Sequence, residues 1–493
     1  MRASDLRRLK ERATRNVAWL HRWLGVATCV IFALWFASGA VLLFMPFPSL
    51  PRADQLALER AVDVAAVRVS PGTAIAAAGT RAAGVRLVQR GERPAYVVTG
   101  ENDISRAIDA RTGAALPLLS AGAARRIAVD AIGPGATVGP PADYDQWIVH
   151  NRFDAFRPFY RIDANDAAGT RYYLSARSGE LMQRTDAAGR GWNWIGAVLH
   201  WAYFTPLRAD FTAWDRTVWW VSLVALIVAV TGTVLGIVRT IAAQRQRRPS
   251  LTFYRLRWMR WHHLLGLFAG IFVLGWILSG WLSMDHGRLF SRGQPLEAQA
   301  RRYQGMTAGR GFAIDPQALR ALGGAHEIGF TQVAGRALAT GWWPAGTARR
   351  VLGDGVVVPD AALLDFARQG VAAGWPGGPG SVSRRVPPTS LYALAEGWPA
   401  TAILMTDPGG IRPDIAIDGA DGRILTVMDP SRKAYAWIYY ALHTFNVPGL
   451  SDHQRWRKAT VLVPLVFGFI FSVTGVVLGM ERIRKQLRQG KVR

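Results

Sequence analysis

Five of the nine histidines in this sequence lie within or beside long apolar stretches, and they recur at regular intervals. His200 and His443 are 243 residues apart, and each stands 31 residues before a Thr-Gly-x-Val-Leu-Gly sequence. His21 and His262 are 241 residues apart, each is followed four residues later by a glycine, and His263 comes directly after His262. A neutral imidazole binds metals well, and ionisable residues near a bilayer are costly and usually functional. These histidines are therefore the first candidates for a metal or cofactor site.

The regular spacing indicates an internal duplication, and the duplication predicts how the histidines pair. Two halves with the same topology in a membrane are related by an axis along the membrane normal, so equivalent residues lie at equal depth and can face one another. We therefore expect His200 to pair with His443, and His21 to pair with His262. His263 competes with His262, because adjacent residues on a helix point about 100° apart and only one of them can face the axis. The alignment of the two halves favours His262.

The elements that must hold these histidines are four apolar stretches without a charged residue. Each has about the 20 residues that a helix needs to cross a hydrocarbon core of about 30 Å, so the lipid bilayer is the first expected partner. The four stretches are Trp23–Phe47, Thr217–Val238, His262–Met284 and Ala459–Met480. Together they predict an integral membrane α-helical protein with four transmembrane helices in two parallel repeats.

The formal net charge of +25 is concentrated beside the predicted spans. Residues 1–22, 239–260 and 481–493 carry +5, +7 and +5, which is +17 of the total. Basic residues next to membrane spans mark the cytoplasmic side, so this placement predicts that both termini and the middle loop are cytoplasmic and that both long inserts are exported. No nucleic-acid-binding motif accompanies the charge, and nucleic acid is therefore not an expected partner.

The two polar inserts between the spans are expected to be exported α+β domains. Alternating apolar residues predict strands, and turns rich in Asp and Gly separate them. The predicted elements of the first insert are a helix at Ala74–Ala83, strands at Val85–Val88, Ala95–Thr99, Arg106–Asp109, Thr170–Leu174 and Glu180–Gln183, and an interfacial helix at Gly191–Phe204. Those of the second insert are a loop at Gly374–Gly380, strands at Asp414–Ile417 and Arg423–Val427, and an equivalent interfacial helix at Ala434–Phe445.

These patterns divide the chain into five consecutive segments, which alternate between membrane and exported parts. Residues 1–48 form a cytoplasmic tail and the first transmembrane helix, 49–215 the first exported domain with its interfacial helix, 216–286 the second and third transmembrane helices with a basic cytoplasmic loop, 287–458 the second exported domain, and 459–493 the fourth transmembrane helix with a basic cytoplasmic tail. Each half of the chain thus has the same order of parts.

Several phrases of the sequence, in this order and together with the four spans, resemble one known family. They are Arg-Pro-Phe-Tyr-Arg at 157–161, Tyr-Tyr-Leu-Ser-Ala-Arg-Ser-Gly-Glu at 172–180 and Leu-His at 199–200. They resemble the PepSY-associated transmembrane family, which includes iron-regulated inner-membrane proteins and FoxB-like ferric-siderophore reductases. The resemblance implies a multi-pass protein of the bacterial inner membrane, two PepSY-like exported domains, and reduction of a ferric siderophore at the periplasmic face.

The paired histidines and the single cysteine together define the expected cofactor. Neutral imidazoles that face each other across a gap between helices are the axial ligands of a b-type haem, and no Cys-x-x-Cys-His sequence is present for covalent attachment. Cys29 is the only cysteine, so iron–sulfur and zinc sites built from four cysteines are excluded within one chain. We therefore expect two haem b groups, one for each histidine pair. His286, whose counterpart in the other half is Met45, is a rival ligand for the pair that contains His200.

Two functions of different classes fit these features. In the first, two haems carry electrons outward to a ferric complex, and one-electron reduction releases the iron because siderophores bind Fe(III) far better than Fe(II). The sequence has no dinucleotide-binding glycine motif at a strand–helix junction, so the electrons would come from membrane quinol or from a separate cytoplasmic reductase. In the second, the exported domains bind an envelope partner or a protease without catalysis, and the spans are only anchors. The second hypothesis leaves the repeated histidines without a role.

Overall fold

The computed structural model describes residues 3–490, except 102, 247–249, 253, 286, 306–311, 377–381 and 411. His286 and most of the predicted Gly374–Gly380 loop therefore lie outside the described residues. The chain forms two compact units. The membrane unit contains residues 1–47, 192–290 and 434–493, and the insert unit contains residues 48–191 and 291–433.

Four long helices make up most of the membrane unit, and they continue beyond the apolar stretches of the sequence. Each contains a segment that is long and apolar enough to cross a membrane, which supports the predicted membrane protein with four spans. The first long helix packs against the second and the fourth, and the third packs against the same two. The four helices are Ala3–Phe44, Phe211–Arg245, Arg257–Ser283 and Gln454–Gly490.

Apolar side chains of the membrane unit lie both in its centre and on its outer surface. Phe36, Trp276 and Leu465 belong to the central cluster and are at most 8% exposed. Phe268 and Ile271 face outward and are 79% and 75% exposed. Such a surface is unfavourable in water and favourable in hydrocarbon, so the outer face of this unit requires contact with a lipid bilayer.

Short helices with π-helical turns precede the second and the fourth long helices. The predicted interfacial helix Gly191–Phe204 is a run of helical turns that ends at Trp201, because Ala202 adopts a left-handed conformation with φ of +52°. The predicted helix Ala434–Phe445 ends similarly, before Phe445 with φ of +56°. The helical elements of these two regions are Ala187–Asn193, the π-helical Trp194–Val198, Leu199–Trp201, Thr205–Arg208, Pro430–Ala436 and the π-helical Trp437–His443.

The insert unit contains three antiparallel sheets. Its strands are β1 (Ala82–Arg90), β2 (Arg93–Gly100), β3 (Ser105–Asp109), β4 (Thr137–Ala142), β5 (Phe159–Asp163), β6 (Arg171–Ser175), β7 (Leu181–Thr185), β8 (Glu327–Val333), β9 (Arg336–Trp342), β10 (Ala348–Leu352), β11 (Val382–Arg385), β12 (Ala402–Thr406), β13 (Asp414–Asp418) and β14 (Ile424–Met428). The largest sheet has the order β10-β9-β8-β1-β2-β3, with Arg86 of β1 opposite Gly329 of β8. The sequence predicts one domain for each insert, whereas this sheet combines strands of both inserts.

The two smaller sheets, β4-β5-β6-β7 and β11-β12-β13-β14, each belong to one insert. Helix Ala121–Ile132 buries Ala124 and Ala128 against the first, and helix Asp360–Gly374 buries Leu363 against the second. The insert unit is thus α+β, as predicted. Its other helical elements are Arg52–Leu58, Val64–Ala66, Pro71–Ala78, Asn151–Phe156, Glu297–Gln304, Pro316–Leu322 and Leu391–Glu396.

The predicted strands all overlap observed strands, but the predicted helix Ala74–Ala83 is wrong at its end. The observed helix stops at Ala78, because Gly79 takes the left-handed conformation with φ of +60° that often follows a helix. The two alanines at 82 and 83 belong to β1 instead. Alanine is a good helix former, but pairing of β1 with β2 overrides this weak local preference.

Arg86 of β1 links the two inserts by charge. Its Nη1 atom lies 2.6 Å from Glu180 Oε1 in the first insert and 2.7 Å from Glu327 Oε2 in the second. Both carboxylate side chains are almost fully buried. Burial alone would lower the pKa of Arg86, but the charges of Glu180 and Glu327 outweigh it and raise this pKa. The guanidinium therefore stays charged and compensates two buried carboxylates.

We expect Arg86→Gln to destabilise the protein by about 3–5 kcal/mol, because the substitution leaves the buried carboxylate of Glu180 without its counter-charge, while Glu327 keeps its ion pair with Arg52 at 2.7 Å. The measurement is the free energy of unfolding of the insert unit by urea. Arg384→Gln, which removes an exposed arginine of β11, is the matched control and should change the free energy by less than about 0.5 kcal/mol. Equal stability of the two variants would contradict the structural role of Arg86.

Candidate metal- or cofactor-binding site

The structure brings four histidines together in two pairs. The ring centres of His21 and His262 are 6.5 Å apart, with 40° between the ring planes. The ring centres of His200 and His443 are 6.4 Å apart, with 67° between the planes. The first pair joins the first and third long helices, and the second pair joins the two short helical regions. The membrane unit thus has two places where two imidazoles from distant parts of the chain meet.

Serine hydroxyls determine which ring nitrogen of the second pair carries the proton. Ser38 Oγ lies 3.0 Å from His200 Nδ1 and donates its own hydrogen to a carbonyl of its helix at 3.1 Å. Ser279 Oγ lies 3.0 Å from His443 Nδ1 and likewise donates to a carbonyl of its helix at 2.7 Å. A hydroxyl has one hydrogen, so a serine that donates to the carbonyl accepts from the imidazole. This arrangement favours the tautomer of His200 and of His443 that carries its proton on Nδ1.

The first pair is held in the same tautomer by different groups. His21 Nδ1 lies 3.1 Å from the carbonyl oxygen of Val228, which can only accept a hydrogen. His262 Nδ1 lies 2.9 Å from Thr474 Oγ1, and that hydroxyl donates to a carbonyl of its own helix at 2.6 Å. Thr231 Oγ1 is also 3.3 Å from His21 Nδ1. Both imidazoles therefore carry their proton on Nδ1.

The consequence is that the four Nε2 atoms carry free lone pairs. Among the residues that the structure describes, none of these Nε2 atoms has a hydrogen-bond partner. Burial lowers the pKa of His200 to about 4 and, together with the charge of its neighbour, that of His443 to about 3, so both rings are neutral at pH 7. A neutral imidazole whose other nitrogen donates to the protein is the usual form of a metal-binding histidine.

Each of the four rings also lies against a glycine of a neighbouring long helix. A Cβ atom added to any of these glycines would lie at or below ordinary contact distance from the Cε1 atom of the imidazole. The distances from an ideal Cβ to Cε1 are 2.7 Å for Gly232 and His21, 3.5 Å for Gly475 and His262, 3.4 Å for Gly39 and His200, and 3.3 Å for Gly280 and His443. The glycines therefore allow the rings to approach the helix backbone.

His263, the fifth candidate, does not belong to either pair. Its Nε2 lies 3.2 Å from the carbonyl oxygen of Gly236, and its ring packs edge-to-face on Tyr254 at 5.5 Å. The expectation that only one of two adjacent histidines can face its partner is met, and His262 is the one that faces His21. His263 Nδ1 is buried without a hydrogen-bond partner. The direction of this ring therefore follows from its position on the helix, and not from stronger hydrogen bonds.

The pairing of the histidines is predicted from the sequence, but the groups that orient their rings are not. These groups are Ser38, Ser279, Thr231 and Thr474 with the adjacent glycines Gly39, Gly280, Gly232 and Gly475. A signal for them is present, because Ser-Gly and Thr-Gly dipeptides recur at the same intervals as the histidines. A Ser-Gly or Thr-Gly dipeptide inside a helix, when it is repeated in both halves, therefore indicates a hydrogen-bond partner for a paired histidine.

Within the described part of the chain, no group of three or more His, Cys, Asp or Glu residues is placed to hold a metal ion.

Comparison with known proteins identifies the family. The family described as PepSY-associated TM region matches residues 18–313, which is more than half of the chain. The chain belongs to this family. The match covers three of the four paired histidines and both inner spans of the chain. No curated protein and no solved structure matches the chain.

Gly232 and Gly475 are equivalent in the two halves but lie at different distances from their histidines, and this difference allows a test of the site geometry. We expect Gly232→Ala to displace the ring of His21, because a Cβ would lie only 2.7 Å from Cε1, and to break its hydrogen bond to Val228. Gly475→Ala is the matched control, since its Cβ would be at 3.5 Å from His262. Nitrogen NMR of metal-free, ¹⁵N-histidine-labelled protein should show a mixed tautomer at His21 in the first variant only. Unchanged His21 signals in Gly232→Ala would contradict this geometry.

Proposed function

We propose that this protein is an electron-transfer protein of the bacterial inner membrane that holds two haem b groups and reduces a ferric complex of the siderophore class at the periplasmic face. The observation that carries the proposal is the presence of two half-buried histidine pairs whose Nδ1 atoms are held by hydrogen bonds, which leaves the Nε2 atoms to bind a metal. The family match supports a membrane protein of the iron-regulated type. The choice of a ferric siderophore as substrate rests on the resemblance to FoxB-like reductases.

The two imidazoles of each pair lie close enough together to hold one group between them. The ring centres are 6.5 Å apart for His21 and His262 and 6.4 Å apart for His200 and His443. Each pair would hold one haem through its Nε2 atoms, and the haem would supply one-electron chemistry there.

Matching contacts in the two halves support an arrangement of two parallel repeats. Ser38 and Ser279 contact the His200 pair and are 241 residues apart, and Thr231 and Thr474 contact the His21 pair and are 243 residues apart. The same two intervals separate the histidines themselves. Two long helices and two histidines in each half thus make matching contacts.

In this proposal His21 and His262 hold one haem beside the basic cytoplasmic segments, and His200 and His443 hold the other toward the exported side. When bound, the two groups supply one-electron transfer through the bilayer. The chain contributes neutral ligands of fixed orientation, and the acceptors on Nδ1 raise the basicity of Nε2 toward iron. Burial among apolar helices keeps water away from the imidazoles, and this affects the reduction potential of a bound haem.

Electrons would enter from membrane quinol or from a separate cytoplasmic reductase, and both termini would be cytoplasmic. The basic segments 1–22, 239–260 and 481–493 support this orientation through the positive-inside rule. A ferric complex on the exported side would accept one electron, and the resulting Fe(II) would dissociate because the chelator binds it weakly.

A non-enzymatic role, in which the inserts bind an envelope partner and the helices only anchor them, is the alternative. It gives no reason for four imidazoles with fixed tautomers inside the membrane unit. Buried polar groups of this kind are costly to place there and are kept where they act. The electron-transfer proposal is therefore the one that the site supports.

The proposal is tested by the haem content of histidine variants. We expect His21→Ala, His262→Ala, His200→Ala and His443→Ala each to lose one haem of two, because each removes one axial ligand of a single site. His263→Ala is the matched control and should keep both, since His263 is outside the pairs. The measurement is haem per protein by the pyridine haemochrome method on protein from haem-replete cells. A haem-free wild-type protein would refute the proposal, and loss of haem in His263→Ala would refute the assignment of His262.

A second test concerns the orientation in the membrane. Reporter fusions after residues 120, 245, 380 and 493 should read outside, inside, outside and inside, because the three short segments 1–22, 239–260 and 481–493 carry +17 of the net charge of +25. The fusions after 120 and 380 serve as internal controls for export of the two inserts. An exported C-terminus would contradict the proposed direction of electron flow.

A further inference from the structure

A connected network of charged side chains joins the helix Arg52–Leu58 to the sheet that the two inserts share. Arg52 Nη2 lies 2.7 Å from Glu327 Oε2, and Arg86 pairs with both Glu180 and Glu327. A third carboxylate, that of Glu59, follows the same helix. The network thus contains three carboxylates and two guanidinium groups, and it would carry one negative charge in excess if all five were ionised.

Glu59 is connected to this network through the side chain of Gln55. Arg52 Nη1 lies 3.2 Å from Gln55 Oε1, and a guanidinium can only donate, so the amide oxygen of Gln55 faces Arg52. The amide nitrogen of Gln55 therefore donates to Glu59 Oε1, at 3.0 Å. The other carboxylate oxygen, Glu59 Oε2, is buried and has no hydrogen-bond partner among the described residues. Glu59 is thus the carboxylate of the network that lacks an ion pair within the described part of the chain.

The excess negative charge makes Glu59 the group on which a proton is most stable. A carboxylate that is buried without a counter-charge is far more costly than a neutral carboxylic acid, and nearby carboxylates add repulsion. Burial, together with the charges of Glu180 and Glu327, raises the pKa of Glu59 well above its usual range, although Arg52 and Gln55 act against this. Burial alone would also raise the pKa of Glu327, but the charges of Arg86 and Arg52 outweigh it and lower this pKa.

The helix Arg52–Leu58 is held on the second insert at both of its ends. At its start, Arg52 pairs with Glu327 of β8. At its end, His326 Nδ1 lies 2.7 Å from the carbonyl oxygens of Leu56 and Glu59, which can only accept its hydrogen. A negative charge on Glu59 would therefore arise at the contact between this helix and β8.

We propose that Glu59 holds a proton in the folded protein at neutral pH, and that loss of this proton releases the helix Arg52–Leu58 from the second insert. An ionised Glu59 repels Glu180 and Glu327, and movement of the helix end into water relieves this repulsion. The contact is thus a pH-sensitive switch that opens at alkaline pH. It is independent of the proposed haem chemistry, because no residue of this network belongs to a histidine pair.

The direction of the pH dependence follows from the two states of Glu59. Outside the folded structure Glu59 loses its proton near pH 4.5, whereas the folded protein keeps it to higher pH. The helix contact is therefore fully stable below pH 4.5 and weakens as the pH rises from there toward the pKa of the folded state. In this range the equilibrium for opening of the helix should rise by up to about tenfold for each pH unit, because one proton is lost on opening.

The first test is hydrogen–deuterium exchange of the full-length, detergent-solubilised protein, measured by mass spectrometry at pH 5 and pH 9. Glu59→Gln keeps the shape of the side chain and cannot ionise. At pH 9 we expect the helix Arg52–Leu58 and β8 to exchange at least about tenfold faster in the wild type than in Glu59→Gln, and at pH 5 we expect similar rates. Comparison at one pH removes the pH dependence of chemical exchange, and any titration of His326 is common to both proteins.

Glu92→Gln is the matched control, because Glu92 is an exposed glutamate in the turn between β1 and β2. It should exchange as the wild type does at both pH values. Equal exchange of the wild type and Glu59→Gln at pH 9 would overturn the proposal.

The second test observes the proton directly by infrared spectroscopy. At pH 7 the wild type should show the carbonyl band of a protonated carboxylic acid that is missing from Glu59→Gln. Labelling of glutamate carboxyls with ¹³C separates this band from that of Asp421, whose pKa burial raises to about 6. If Glu59→Gln does not fold, the labelled band is followed in the wild type as the pH is raised. Absence of the band at pH 7 would refute the proposal, and neither test depends on haem content, so the two proposals fail separately.

Discussion

Four half-buried imidazoles are each held by a hydrogen bond at Nδ1, and these bonds link distant parts of the membrane unit. Each Nδ1 proton is accepted by a hydroxyl or carbonyl oxygen of a neighbouring long helix. The hydroxyls donate to the backbone of their own helices, so they can only accept from the rings. The four free Nε2 lone pairs follow from these hydrogen bonds.

Hydrogen bonding also distinguishes the paired histidines from His263. His263 uses its Nε2 in a hydrogen bond to Gly236, so the nitrogen that would bind a metal in the other four is not free. Two adjacent histidines with equal chemistry thus have different roles because they point in different directions from one helix. The glycines beside the paired rings serve the same geometry, since only a residue without a side chain lets the ring reach the neighbouring backbone.

Two arginines of the insert unit show that a buried charge needs a counter-charge. Arg86 has its guanidinium matched by Glu180 and Glu327, and it joins the two inserts across their shared sheet. Arg412 forms an ion pair with the buried carboxylate of Asp407, which lies 3.7 Å from its Nη2 atom. Both arginines therefore have a structural explanation within the chain.

The sequence by itself determined the four spans, half of the described strands and the two histidine pairs, with His262 favoured over His263 by the repeat. Hydropathy and alternation are local properties, and a repeated interval places equivalent residues at equal depth. Only the tertiary structure decided that β1 pairs with β8 across 241 residues, and which groups hold Nδ1 of each paired ring. The physical reason is that these helices are apolar on all sides. Their pattern does not specify the rotation of a helix about its axis, which packing and hydrogen bonds to other helices determine.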